Sequence, residues 1–484
     1  MKNPLLKLGS VLILALTSAC AHINLRDTRN PSSTSVLPNF IRTKAPVIAL
    51  INLRVIDGSG TPGKANQKII LTNGKISAVG ETNVAIPEGA EIIDLAGSTA
   101  IPGIVGMHEH LHYTYLPEGS PDRYLVQQTW SFPLLYLAAG VTTARTAGSL
   151  EPYTDLGLKK MIDSGRYLGP RLFLTAPYIN GPKADHFPFQ DYPDAASVAR
   201  MVDYWASEGF TSFKLYDGVT RAQLAAAVKA AHRHGLKVTA HLWSVTFREA
   251  IDRGIDSLEH GMSCSTDFYP NKIPDQSPPE GSLDYLKPGS REMGDLIDDL
   301  VKKHVAITST LANLEASKLA FKFKLDPRLM DLLPPPVQQS VLIRKAKAAK
   351  ETGPKTENEF NLEMEFERRF VESGGLLMAG SDPTGYGAIM AGLADHREIE
   401  LLVEAGLSPV KAIQIATANG AKFLGIFDQV GTIEVGKRAD IVIVYGNPET
   451  HISDVRNVQI VFKDGIGYDP ASIMKVLKGR VGIQ

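Results

Sequence analysis

The chain is 484 residues long, 44% hydrophobic and formally −1 in net charge, which gives enough apolar mass for a barrel-sized core and one smaller domain. So balanced a charge leaves no electrostatic reason to expect nucleic acid or an acidic membrane surface as a partner. No internal repeat of the kind that builds solenoids is visible.

Residues 1–21 read as a targeting segment: Lys2 and Lys7 form a positive end, Leu12 to Leu16 an apolar centre, and Thr17-Ser-Ala-Cys20 a small-residue exit. Cleavage before Cys20 makes 1–19 a lipoprotein signal and Cys20 a lipidated first residue, whereas cleavage after Ala21 makes an ordinary signal. Either way the mature chain is expected outside the cytoplasm, secreted or periplasmic, and the first route anchors it to the bacterial envelope by lipid. Cys264 is then the one cysteine certain to remain, expected as a lone buried thiol without a disulfide framework. Residues 22–45 read as a linker.

Over 46–100, Val47-Ile-Ala-Leu-Ile-Asn-Leu, Lys68 to Gly80 and Glu91-Ile-Ile-Asp-Leu read as short strands, with Asn73-Gly74 as a hairpin turn. Residues 427–470 add Asp440-Ile-Val-Ile-Val and Val458-Gln-Ile-Val-Phe, and 471–484 form a tail. Two strand clusters flanking one domain most simply pair into a composite β-sandwich built from both chain ends. Between them, over 101–426, apolar runs near 101–107, 140–145, 171–176, 210–216, 236–241, 255–259, 304–309 and 376–381 make eight candidate strands. Helical periodicity separates several of them, as from Thr220 to His234 before Gly235. Alternating strands and helices imply a parallel sheet, and eight such strands close a TIM (β/α)8 barrel. Two segments interrupt it. Residues 262–290, crowded with Pro and Gly, read as a loop at the catalytic face, and 335–373 as helix with a solvated charged face.

The run from Ile101 to His112 ends in histidines. Residues i and i+2 of a strand point the same way, so His108 and His110 can present two imidazoles to one point. Lys214, His241, His260 and Asp382 stand at the C-terminal ends of four more runs, where TIM barrels place their chemistry. His112 would be a third alternate residue on one strand, too many to focus on one cation, and reads as support for the others. Tyr216 shares the face of Lys214 and is a candidate substrate contact with core packing as the competing role; His186, Arg145 and His396 are further candidates. His232 and His234 end a helix and read as surface.

With these residues in this order, the sequence resembles the amidohydrolase superfamily over most of the mature chain. Its prolidase-like and imidazolonepropionase-like branch is the nearest, on Gly140-Val-Thr-Thr-Ala-Arg145, Thr239-Ala-His241, Ser257-Leu-Glu-His260-Gly261 and Ala416-Thr-Ala-Asn-Gly420. The resemblance implies two divalent metal ions, zinc by donor type, with His108, His110 and Asp382 on the first and His241 and His260 on the second. Lys214, carboxylated to N6-carboxylysine, would bridge them; a lysine that only balances an acidic neighbour is the alternative. Asp382 would be the catalytic proton carrier. Thr146 stands where relatives usually carry Asp, and the loop Ala176 to His186 lacks their glycine- and histidine-rich run, so the substrate is not fixed. The expected activity is hydrolysis of an amide C–N bond in a dipeptide or N-acyl amino acid. Cyclic amides, lactones or carbamates are the alternative substrates, and a non-catalytic metal-binding envelope lipoprotein is the alternative of another class. Homo-oligomerisation stays open.

Overall fold

The computed structural model describes residues 40–81, 83–115, 124–182, 189–384 and 387–482; the targeting segment, Cys20 and His186 lie outside them. Eight parallel strands form the barrel: β1 Ile104–Glu109, β2 Val141–Thr146, β3 Arg171–Phe173, β4 Ser212–Leu215, β5 Lys237–Ala240, β6 Ser257–Glu259, β7 Ala306–Ser309 and β8 Leu377–Ala379. Helices such as Ala195–Glu208, Arg221–Arg233 and Arg291–Lys302 cover the outside. With both faces covered, strands such as β1 and β2 are buried at every position, polar residues such as Thr142, Thr143 and Arg145 included. Main-chain bonds from Thr211 N–H to Leu174 O and from Ala176 N–H to Ser212 O, both 2.9 Å, carry the sheet from β3 to β4. The other seam closes where Asp382 N–H donates to His108 O at 2.9 Å. Gly380 is required there, since a Cβ would stand 2.4 Å from the His108 backbone nitrogen.

The two chain ends meet in one sheet. Val47–Val55 pairs with Lys64–Thr72, Glu91–Asp94 and Ser98–Pro102, and Ser98–Pro102 pairs antiparallel with Ile441–Tyr445. The sheet wraps its own core of Ile48, Leu50, Ile69, Ile441, Ile460 and Phe462. Asn73 and Gly74, at φ 49° and 80°, make the hairpin turn. Arg171 at the base of β3 ties this module to the barrel through Asp440 and Asp464, each at 2.9 Å.

Four expectations need correction. Ile41–Thr43, placed in the linker, is a strand paired with Gly467 and Tyr468. Ile101 and Pro102 belong to the sandwich, opposite Val442 and Ile441, and the barrel begins after Gly103 because the strand changes sheets there. The tail is not loose: Pro470–Leu477 is a helix that buries Ile473 and Leu477, and Val481 is buried beyond it. The charged stretch 335–373 forms helices Pro335–Glu351 and Pro354–Glu372, but the second turns Phe366, Phe370, Glu363 and Glu367 inward instead of keeping all its charge in solvent. Among the described residues no helix is long and apolar enough to cross a membrane.

Candidate metal centre

At the C-terminal mouth of the barrel the structure brings His108, His110, Lys214, His241, His260 and Asp382 together. His108 near the end of β1 and His110 just beyond it bring their ring centroids to 5.3 Å apart. The His260 ring lies 4.5 Å from that of His108 and 4.6 Å from that of His241, so it stands between the two halves of the cluster. Asp382 Oδ1 is 3.1 Å from His110 Nε2 and 3.7 Å from His108 Nε2, and its Oδ2 is 3.9 Å from His260 Nδ1. Donor atoms of His108, His260 and Asp382 lie within 4.8 Å of one another. That spacing, with nitrogen and oxygen donors, fits a divalent cation.

Two of these residues hold unusual backbone. His260 has φ 65° and Asp382 φ 42°, the left-handed region that non-glycine residues rarely occupy. The turn at His260 explains a parity problem: Glu259 already points into the barrel, so a regular strand would send the next side chain outward. Asn313 fixes Asp382 by donating to its main-chain oxygen (2.8 Å) and to Oδ2 (3.0 Å), while Thr384 Oγ1 donates to Oδ1 at 3.0 Å.

Glu259, quoted in a motif but given no role from sequence, is the buried residue that orients the site. It accepts from His108 Nδ1 at 2.7 Å, from Thr239 Oγ1 at 2.5 Å and from the Arg145 guanidinium. Burial would push its carboxyl up, but Arg145 and His108 hold it well below the usual range, so it is ionised. An ionised acceptor at Nδ1 fixes the proton there and leaves the His108 Nε2 lone pair facing the cluster. Arg145 therefore corrects its expected role. It is 1% exposed and turned to Met107 O and Glu259, so its contacts hold the site from beneath instead of opening to the mouth.

Burial, then Lys214, lowers His108 to about 4, and burial lowers His110 and His260 as well, which favours neutral imidazoles with a nitrogen lone pair available at neutral pH. Burial would raise Asp382, yet His108 and His110 hold it well below the usual carboxylate range. Burial also lowers Lys214, whose Nζ is 3.3 Å from His108 Nε2; among the described residues it makes no ion pair within 4.0 Å. Tyr216 stands at the site, its ring 4.7 Å from His241 and 4.7 Å from Phe189. Tyr178 stacks on Phe189 at 4.1 Å and reaches His110 Nδ1 at 3.4 Å, a contact that sequence reasoning missed for want of any local motif. His112 lies against the His110 ring at 4.7 Å. His396 does not reach the cluster. It lies 1% exposed on helix Leu393–Glu404, with Nε2 bound to Ala139 O at 2.8 Å, because that helix packs its inner face on the barrel wall. His232 and His234 pair with Asp256 and Asp203 on the surface.

Residues 342–467 match the model of the amidohydrolase family. Among solved structures, a putative prolidase from Bifidobacterium longum is similar with a TM-score of 0.65 at 23% identity, over 87% of this chain and 94% of that one. A bottromycin amidohydrolase is similar with a TM-score of 0.66 at 20% identity, over 92% and 94%. At these identities the likeness is one of fold. An adenine deaminase from Ligilactobacillus salivarius (strain UCC118) is 40% identical over 67 residues, 14% of this chain and 11% of the relative, so the chain spans only a small part of that curated relative's length.

His241 offers a test of the electrostatics. Burial, and next His260, drive its imidazole from 6.5 to about 3. A group whose folded value lies below its unfolded value contributes stability above the unfolded value, lost as pH falls towards the folded one. His241→Asn removes that titration. The stability of the metal-free native chain relative to this variant, read from urea midpoints, should therefore fall between about pH 7 and about pH 4. A constant difference would show that His241 is not held neutral.

Proposed function

We propose that this chain, whose residues 342–467 match the amidohydrolase family model, is a metal-dependent hydrolase of that superfamily that cleaves an amide C–N bond in a dipeptide or N-acyl amino acid. The observation that carries this reading is the reach of Asp382 to His110, His108 and His260 at once, a carboxylate set amid neutral imidazoles at the barrel mouth. His108, His110 and Asp382 would hold a first divalent cation and His241 and His260 a second. Zinc suits the donors. Such a pair, when bound, supplies hydroxide at neutral pH and polarises the scissile carbonyl.

Lys214 would bridge the pair only as a carbamate, because an ammonium repels cations. Burial favours its neutral amine, the form that adds carbon dioxide, against the opposing pull of Glu259 and Asp382, neither of which pairs with it within 4.0 Å. Asp382, aimed by Asn313 and Thr384, takes the proton of the attacking water and returns it to the departing nitrogen, so amide and water leave as carboxylic acid and amine. Tyr216 is placed to donate to a substrate carbonyl or carboxylate, and the wall of Tyr178, Phe189 and Tyr216 suits an apolar side chain. The fold neighbour named a prolidase supports the bond class, and a screen of dipeptides, N-acyl amino acids and cyclic amides separates these substrates. Cys20 is proposed as a lipid anchor outside the cytoplasm. Detergent partitioning of the native chain, lost in Cys20→Ser, is expected; a soluble native chain beginning at His22 would remove the anchor.

Asp382→Asn keeps the shape but not the proton acceptor. Turnover should drop at least ~100-fold with folding nearly unchanged, and near-normal turnover would strip Asp382 of this role.

Lys214→Ala should lower metal content from about two per chain and abolish activity. Acetate or propionate in the vacated space should partly restore both. Two metals retained in the variant without added acid, by elemental analysis, would mean that Lys214 is not the bridge.

A further inference from the structure

The two halves of the cluster differ in one donor. Next to His241 and His260 stands Cys264, and donor atoms of these three side chains lie within 4.8 Å of one another; the carboxylate nearest His241 is Asp217, whose Oδ1 is 3.4 Å from Nε2. We propose that Cys264 is itself a metal ligand, its thiolate completing with His241 and His260 a His2Cys site for the second divalent cation. The inference rests on the metal-dependent reading above and adds to it a soft donor, which selects zinc, cobalt or cadmium over magnesium or manganese.

Sequence spacing alone would keep this thiol away. Four residues of extended chain carry a side chain about 13 Å onward. Here the chain instead reverses directly after β6, with His260 and Gly261 both left-handed at φ 65° and 59°. The reversal is held from two sides. Ser263 donates twice to His260 O, from N–H at 3.1 Å and from Oγ at 2.7 Å. From helix Pro354–Glu372, Glu363 accepts the Met262 N–H at 2.9 and 3.0 Å through its two oxygens. Gly261 has no alternative, since a Cβ there would stand 1.6 Å from Glu363 Oε1. Residues i and i+4 of a tight turn thus face one point, as a ligand pair must.

Cys264 packs in the apolar core of the barrel, where a thiol also serves as a small apolar side chain; what sets it apart is its reach to two imidazoles. Cys264 is 5% exposed, and its hydroxyl neighbour Ser263 Oγ is at 3.8 Å, the reach of a weak contact. The only other cysteine of the sequence is Cys20, which on either expected cleavage offers no free thiol, being removed with the signal or blocked as a lipid thioether. On cation binding the S–H bond breaks, the metal–sulfur bond forms, and the proton leaves to the buffer; no electron is transferred.

The test is cobalt substitution of the full chain. Cobalt-loaded native protein should show a near-ultraviolet thiolate-to-cobalt charge-transfer band with about two cobalt ions per chain. Cys264→Ser should lose the band and bind the second ion about 10–100-fold more weakly, while Cys20→Ser keeps both. Two bound ions without the band in the native chain would overturn the ligand while leaving the metal-dependent reading intact; this result needs no variant to fold. A band that follows Cys20 instead would also overturn it. If no cobalt binds at all, both readings fall. One bound ion with the band would uphold Cys264 and remove only the binuclear reading.

Discussion

Four barrel strands meet at one buried carboxylate. Glu259 on β6 accepts hydrogen bonds from His108 on β1, Arg145 on β2 and Thr239 on β5. Leaving such a charge without its partner costs about 3–5 kcal/mol, whereas an apolar filling of the same space is often neutral or better. Stability alone is therefore a weak reason for this network. Its consequence for chemistry is stronger: it sets which nitrogen of His108 carries the proton, and with that which nitrogen can bind a cation. Two further contacts depend on that choice, because Lys214 and Asp382 both address Nε2.

The same logic explains why the site sits on strained backbone. Strands deliver side chains alternately to opposite faces, and a barrel that spends its inward position on Glu259 has none left for the next residue. The left-handed turn at His260 recovers it. Such a conformation costs on the order of 1–3 kcal/mol and persists only when its surroundings over-determine it. Glu363, from a helix that interrupts the barrel, is part of that over-determination, so the insertion serves the cluster as well as the surface.

Much of this was legible. Period-two spacing brought His108 and His110 together at the end of a strand, and strand ends located Lys214, His241, His260 and Asp382, because both features depend on local geometry that sequence records. Asn73-Gly74 was equally plain, since few residues other than these accept its positive φ. What stayed hidden depends on partners distant in sequence. Glu259 and Arg145 are 114 positions apart, and nothing local distinguishes an arginine that meets substrate from one that meets a buried glutamate. His396 misled for the complementary reason: a histidine near the start of the last barrel helix is close to the mouth along the chain, yet its side chain serves Ala139 O. The charged helix 354–372 carries its buried glutamates at helical spacing among apolar residues, a pattern that reads as solvated until the loop needing those acceptors is in view.

The seam of the barrel joins these threads. β1 and β8 are brought together at the end of the chain's path around the barrel, and the bond from Asp382 N–H to His108 O closes it. The residues that close the barrel are thus two of those proposed to hold the first cation. Their spacing is set from below: Asn419 Nδ2, in a π-helical turn over Ile415–Asn419, holds Leu377 O at 2.7 Å, and Gly420 packs so closely on β1 that a Cβ would stand 2.8 Å from Val105 and 2.9 Å from Met107. The motif Ala416 to Gly420 therefore acts on the site without touching it. The sandwich enters by the same route, because Ser98–Pro102 runs through Gly103 directly into β1 while pairing with Ile441–Tyr445. A displacement of that pairing would pass to His108 through a single glycine, so the β module, with no polar group in the cluster, still helps to determine where the cluster's donors stand.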